Sequence, residues 1–269
     1  MKIILQKKNL LRLIKDQKNL GFVPTMGALH LGHISLIKKS MNICNKTVVT
    51  IFVNKPQFNR KNDYKKYPRS LKKDIKTLRK LKIDVLYLPN HNEIYPEGIS
   101  KNLKINSLSN KLCGKFRPGH FNAVVDVVER FIKIIKPKKI FFGEKDMQQL
   151  KIVEDYLNKN YKKIKVICCK TVREKNGIAY SSRNFLLSKK EKNIASNIYK
   201  YIFKNKVKLI KDKLFAKIIK KNILKFGVGK VDYIEVIDVN RLIKPYKKKN
   251  KYKIFIAYYL GNVRLIDNI

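Results

Sequence analysis

The chain has no tryptophan, only four histidines and four cysteines in 269 residues, and 19 acidic residues against 63 lysines and arginines. Each scarcity excludes something. Cys44, Cys113, Cys168 and Cys169 form no Cys-x-x-Cys pair and no framework spacing, so free thiols in a reducing compartment are expected rather than a disulfide scaffold. Cys168 and Cys169 fall in an apolar, strand-like run, where successive side chains point to opposite faces. No run of about 20 apolar residues is present, which excludes a membrane-spanning helix. The opening Met1-Lys2-Ile3-Ile4-Leu5 has too short an apolar core for a secretory signal, so the expected location is the cytoplasm. No Ser/His/Asp or Cys/His arrangement is evident, and nucleophilic catalysis therefore has little support.

The shortage of acid leaves a formal net charge of +44. Taken alone, such a charge points to nucleic acid. Yet arginine, the better bidentate reader of phosphate and guanine, occurs only ten times. The lysines are spread along the chain rather than gathered in a stripe, and no RNP-like or helix-turn-helix pattern appears. Abundant Lys, Asn, Ile, Tyr and Phe without Trp fit AT-biased codons. The charge is read as composition, with no specific nucleic-acid partner and no membrane partner. Its side effect is a field that draws anionic substrates.

Residues 21–33 read Gly-Phe-Val-Pro-Thr-Met-Gly-Ala-Leu-His-Leu-Gly-His. An apolar run ends at Pro24 and Gly27, and His30 and His33 follow at the start of a helical pattern. Strand, tight turn and helix N-terminus place free N–H groups and the helix dipole where a phosphate binds, with two imidazoles one turn apart beside it. The same spacing is half of a metal site, which needs further ligands; the remaining histidines are His91 and His120. Gly27 and Gly32 help a backbone approach a phosphate and are not needed by a metal, so phosphate is preferred.

Around this motif strands and helices alternate. The pattern predicts strands over 20–24, 47–53, 83–88, 139–142 and 164–169, and helices over 29–43, 69–81, 121–135 and 147–157. Such alternation implies an α/β fold, a Rossmann-like doubly wound parallel sheet, with ligands at the carboxyl ends of its strands. The character changes after about residue 184. Ser188 with Glu191 reads as a capping box opening a lysine-rich helical region to about Phe226. A strand over 231–236, a solvated turn at 248–253 and a terminal hairpin on either side of Gly261 follow. The expected organisation is a Rossmann-like nucleotide-binding domain over 1–178 and a smaller C-terminal α+β lid domain over 179–269.

Four further segments carry polar groups. Asn54-Lys55-Pro56-Gln57 puts two amides after a buried strand, suited to hydroxyls and carboxylates. Arg117, before Pro118-Gly119-His120, is placed to hold an anion. Gly143-Glu144-Lys145-Asp146 opens a helix bearing Gln148 and Gln149. Ser181-Ser182-Arg183 offers hydroxyls and a fork of donors. Many anion and amide donors with little acid-base machinery suit phosphoryl or nucleotidyl transfer.

Read together in order, residues 24–33, 52–58, 117–121, 143–150 and 173–187 resemble the pantoate–beta-alanine ligases, or pantothenate synthetases. The first motif alone reaches only the His-x-Gly-His nucleotidyltransferase superfamily. The resemblance implies two steps: ATP and (R)-pantoate give pantoyl adenylate and pyrophosphate, then beta-alanine displaces AMP to give pantothenate. It assigns ATP to Met26, Gly27, Ala28, Leu29, His30, Leu31, Gly32, His33, Gly143, Glu144, Lys145, Asp146, Val172, Tyr180, Ser181, Ser182 and Arg183. Among these His30, His33, Lys145, Ser181, Ser182 and Arg183 act in catalysis, with His33 the proton donor. Gln57, Gln149, Asn54 and Arg117 are assigned to pantoate and beta-alanine. Mg²⁺ sits mainly on the phosphates, with Asp74 as an outer contact, and a homodimer is implied. The family loop usually reads Asn-Pro-x-Gln-Phe, whereas here the proline comes one residue later, at Pro56, which puts the loop backbone in question. The rival enzyme is another small-molecule adenylyltransferase of the superfamily; one acting on a phosphorylated acceptor would need cations where Gln57 and Gln149 stand.

Overall fold

The computed structural model describes residues 1–100, 103–212, 214–239 and 252–269, which fall into two compact units, Met1–Lys170 and Thr171–Ile269. In the first unit β1 (Lys2–Ile4), β2 (Leu20–Thr25), β3 (Lys46–Ile51), β4 (Val85–Tyr87), β5 (Lys139–Gly143) and β6 (Lys165–Cys169) form a sheet ordered β1-β4-β3-β2-β5-β6. Every pairing in it is parallel. Consecutive residues such as Phe22 and Val23, Val48 and Val49, and Ile140 and Phe141 are all fully buried. Both faces are therefore covered, as continuous β-branched and aromatic runs require.

Helix Leu31–Ile43 packs on β2 through Leu36, Ile37 and Ser40. The close approach depends on Gly21, where a Cβ would lie 2.2 Å from Ser40 Oγ. Helix His120–Ile135 buries most of its length, and helix Met147–Asn160 buries Leu150, Ile152, Val153 and Leu157. From β2 the chain moves to β3 on one side; from β5 it moves to β6 on the other. The adjacent pair β2 and β5 is thus the switch point, where open parallel sheets bind ligands.

The expected strands and helices of this unit all form, within a few residues of their limits. Absent from the expectation were β1, helix Lys7–Ile14 and the short helices Lys61–Lys66, His91–Ile94 and Cys113–Phe116. None of the four cysteines is in a disulfide, and Cys168 is exposed while Cys169 is buried, as alternation on a strand demands.

The second unit opens with a hairpin in which Arg173 bridges Ala179. Arg173 also pairs bidentately with Asp267 at 2.7 and 3.0 Å, and this ties residues from 171 onward to the C-terminal strand. The contact boundary accordingly falls eight residues before the expected 178/179. Ser188 and Glu191 close the capping box at the start of helix Lys189–Lys204. Helices Lys206–Lys211 and Phe215–Leu224 follow within the lysine-rich helical region. They pack Ile198, Ile202, Ile219 and Ile223 against Ile254, Ile256 and Leu260. These last residues belong to an antiparallel sheet of β7 (Lys230–Asp238), β8 (Tyr252–Leu260) and β9 (Val263–Asn268). The turn expected at 248–253 lies outside the described residues except for Tyr252 and Lys253, which open β8.

Candidate active site

β2 ends at Thr25 and the chain turns sharply before helix Leu31–Ile43. Gly27 and Ala28 both take positive φ, +76° and +49°. A Cβ at Gly27 would stand 3.0 Å from Ile51 Cγ2 and 3.1 Å from Asp74 Oδ2, so the turn needs glycine there. His30 caps the helix with extended backbone, and His33 lies in its first turn. Their rings sit 4.0 Å apart, centroid to centroid, tilted by 32°.

Both imidazoles are neutral at physiological pH. Burial lowers His30 to about 2, helped by the charges of His33 and Lys145. Burial also lowers His33 to about 4; Asp146 opposes this and Lys145 adds to it. Lys145 comes from the turn after β5, the neighbour of β2, and lies 3.4 Å from Asp146. A helix N-terminus, two imidazoles and an ammonium thus share the switch point, an arrangement that favours an anion. Binding of one would raise both imidazole pKa values and turn neutral hydrogen-bond donors toward proton donors.

Asp74, expected as an outer metal contact, has a structural part to play. It is buried, and its carboxylate accepts the N–H groups of Ala28 at 2.8 Å and Leu29 at 2.9 Å, with Ser70 Oγ at 3.2 Å. It braces the turn that presents His30. Both oxygens are engaged by the protein, Oδ2 by Ala28 and Oδ1 by Leu29 and Ser70. Among the described residues no group of three or more His, Cys, Asp or Glu side chains is placed to hold a metal ion.

The amide loop is a single 3-10 turn, Lys55–Gln57, with Pro56 accommodated inside it. Asn54 is fully buried and spends its side chain within the protein. Nδ2 donates to Ala123 O and to Gln57 Oε1, each at 3.1 Å, while Oδ1 accepts from Tyr95 Oη at 2.7 Å. Arg117 likewise turns inward: Nη2 donates to Gln57 O at 3.1 Å and Nη1 lies 3.0 Å from His120 Nε2. His120 Nδ1 is 2.8 Å from the same Gln57 carbonyl. An Arg N–H on Nε2 leaves the proton on Nδ1, so His120 donates to that carbonyl. Asn54 and Arg117, both expected to touch substrate, each hold Gln57.

Neighbouring amides on helix Met147–Asn160 divide in the same way. Gln148 is buried and holds Leu108 O, Lys111 O and Cys113 N at 2.6–3.0 Å. Gln149, its neighbour, is half-buried.

In the second unit Tyr180 N bonds Val172 O at 3.0 Å across the hairpin. Ser181 caps the 3-10 turn Ser182–Leu186 by accepting from Arg183 N, and Ser182 is buried.

The pantoate–beta-alanine ligase model matches residues 2–269. The chain belongs to that family. A pantothenate synthetase from a Sulfurihydrogenibium species is 40% identical over 270 residues, 97% of this chain and 95% of the relative. A pantoate–beta-alanine ligase from Thermus thermophilus matches in structure with a TM-score of 0.91 at 31% identity, covering 100% of this chain and 99% of that one. The ligase from Francisella tularensis, solved with beta-gamma ATP and beta-alanine, matches with a TM-score of 0.85 at 36% identity, covering 100% and 97%.

Within this ligase-family site the sequence did not single out Tyr95, Gln148 or His120 as structural supports. Tyr95 follows the short helix His91–Ile94 and no spacing rule links it to Asn54, 41 residues away. His120 carried a usable signal, standing in Arg117-Pro118-Gly119-His120 as a polar residue at a helix start.

Proposed function

We infer that the protein condenses (R)-pantoate with beta-alanine, using ATP, and forms pantothenate. A carboxylate oxygen of pantoate attacks the α-phosphorus, the bond to the β-phosphate bridging oxygen breaks, and pyrophosphate leaves. The amine of beta-alanine then attacks the acyl carbon of pantoyl adenylate, AMP leaves, and the amine loses a proton. Membership of the ligase family over residues 2–269 supports this reading. The observation that carries the mechanism is the His30–His33 pair at a helix N-terminus with Lys145 beside it. Those groups donate to phosphate oxygens where charge grows as the α-phosphorus is attacked.

Met26 to His33 and Gly143 to Asp146 are assigned to ATP, with His33 nearest the reacting phosphate. Val172, Tyr180, Ser181, Ser182 and Arg183, on the second unit, are assigned to adenine and phosphates, the part of a lid. Gln57 and Gln149 are assigned to pantoate and Gln57 also to beta-alanine. Magnesium enters as part of the substrate, MgATP; no protein carboxylate is assigned to it. Pairing into a homodimer and a cytoplasmic location belong to the same proposal. Among the described residues no helix is long and apolar enough to cross a membrane. Light scattering of the purified protein would check the pairing.

The test follows pyrophosphate, AMP and pantothenate with MgATP and pantoate, with and without beta-alanine. Pyrophosphate release dependent on pantoate, with AMP and pantothenate appearing only on adding beta-alanine, supports the reading. A folded, ATP-binding protein that yields no pantoate-dependent product overturns it in favour of another adenylyl acceptor.

A further inference from the structure

We propose that Tyr95 is a positioning residue that, through Asn54, turns the amide of Gln57 so that its NH₂ group faces the substrate. This rests on the assignment of Gln57 to pantoate. The direction of each bond follows from one fixed point. Ala123 O is a backbone carbonyl and can only accept, so the Asn54 atom 3.1 Å from it is the NH₂ group. The other side-chain atom of Asn54 is then the carbonyl oxygen, and the group 2.7 Å from it, Tyr95 Oη, must donate. Asn54 has one N–H left, and it points at Gln57, 3.1 Å away. The Gln57 atom that receives it is therefore Oε1. With its oxygen turned to Asn54, the half-buried Gln57 directs its NH₂ group outward, and the matching substrate atom is an acceptor, a hydroxyl or carboxylate oxygen.

Tyr95 is suited to anchor this chain. It is buried, its ring stacks on His91 at 5.0 Å, and the Arg130 guanidinium lies 4.5 Å above it. Arg130 is itself fixed to Asp126, Ile94 O and Gly98 O at 2.7–2.9 Å. Burial raises the phenol pKa, which keeps the hydroxyl protonated and a donor. Arg117 and His120 hold the backbone carbonyl of the same Gln57, so its place is set at one end and the direction of its amide at the other.

The experiment compares steady-state kinetics of the wild type, Tyr95→Phe, Gln57→Ala and the double variant, with thermal unfolding of each. Tyr95→Phe removes one oxygen and is expected to raise KM for pantoate about 5- to 10-fold while KM for ATP stays within twofold. In the Gln57→Ala background the same change should do nothing further to pantoate KM, because the amide it orients is gone. Tyr95→Phe within twofold of wild type, or an equal rise in both backgrounds, overturns the proposal. Gln57→Ala with an unchanged pantoate KM overturns the Gln57 assignment itself, and this inference with it. Gln57→Glu leaves Tyr95 and Asn54 intact and guards against an unstable Tyr95→Phe. It replaces the outward donors by an acceptor, so pantoate KM should rise at least as far as in Gln57→Ala; a value within twofold of wild type overturns the orientation.

Discussion

The rings of His30 and His33 lie 4.0 Å apart, and both are neutral imidazoles at neutral pH because burial disfavours the charged form of each. Two neutral imidazoles can sit this close; two imidazolium ions beside Lys145 could not without large repulsion. The pair is thus held ready for an incoming anion that supplies the missing negative charge.

Acid should therefore weaken the fold through these residues. Their folded pKa values, about 2 and about 4, lie below the unfolded value of 6.5, so the unfolded chain binds more protons. Their contribution to stability is full above about 6.5 and declines as pH falls toward 4. Unfolding midpoints at pH 7.5 and 5.0 measure it: the drop should be larger for wild type than for a His30→Asn/His33→Asn variant. Equal drops would contradict the assignment.

Removing the second imidazole should separate chemistry from folding. His33→Ala is expected to slow adenylation about 100- to 1,000-fold, the usual loss for one donor to a developing oxyanion. Circular dichroism should remain that of the wild type. Single-turnover pyrophosphate release checks this, and near-wild-type turnover would refute the role.

Asp74→Asn should act on the turn and not on the metal. The change leaves one of the buried N–H groups of Ala28 and Leu29 without its acceptor, at a cost of about 1–3 kcal/mol. Thermal unfolding and KM for ATP should both worsen, while the Mg²⁺ concentration for half-maximal rate stays within twofold. A large shift in that concentration would restore Asp74 as a metal contact.

Gln148 and Gln149 are adjacent but should fail differently. Gln148→Ala strands Cys113 N and the carbonyls of Leu108 and Lys111, and is expected to destabilise by about 1–3 kcal/mol for each group that stays dry. Gln149→Ala should change stability by less than about 0.5 kcal/mol and raise pantoate KM about tenfold. Denaturant titration alongside kinetics distinguishes the two; the reverse pattern would contradict the division.

The parallel sheet was legible because its strands are near-continuous apolar runs between helical patterns, and 47–53 and 139–142 could hardly be read otherwise. β1 was not, since three residues are too few to show a period and its place is set by pairing with Val85–Tyr87 far along the chain. The histidine turn was legible because strand, glycine and helix start are local. Asn54 and Arg117 show where local reading stops. An amide and a guanidinium in polar loops look like ligands, and only the fold brings Ala123 and Gln57, 69 and 60 residues away, within their reach. Asp74 is the same case, since its partners, Ala28 and Leu29, lie 46 and 45 residues back.

The most direct test of the account follows oxygen. Pantoate labelled with ¹⁸O in its carboxylate is turned over with MgATP and beta-alanine, and the AMP is analysed by mass spectrometry. Attack of the carboxylate on the α-phosphorus predicts one ¹⁸O in each AMP formed and none in pyrophosphate. Unlabelled AMP with labelled phosphate or pyrophosphate would place the attack elsewhere and contradict a pantoyl adenylate at the His30–His33 site.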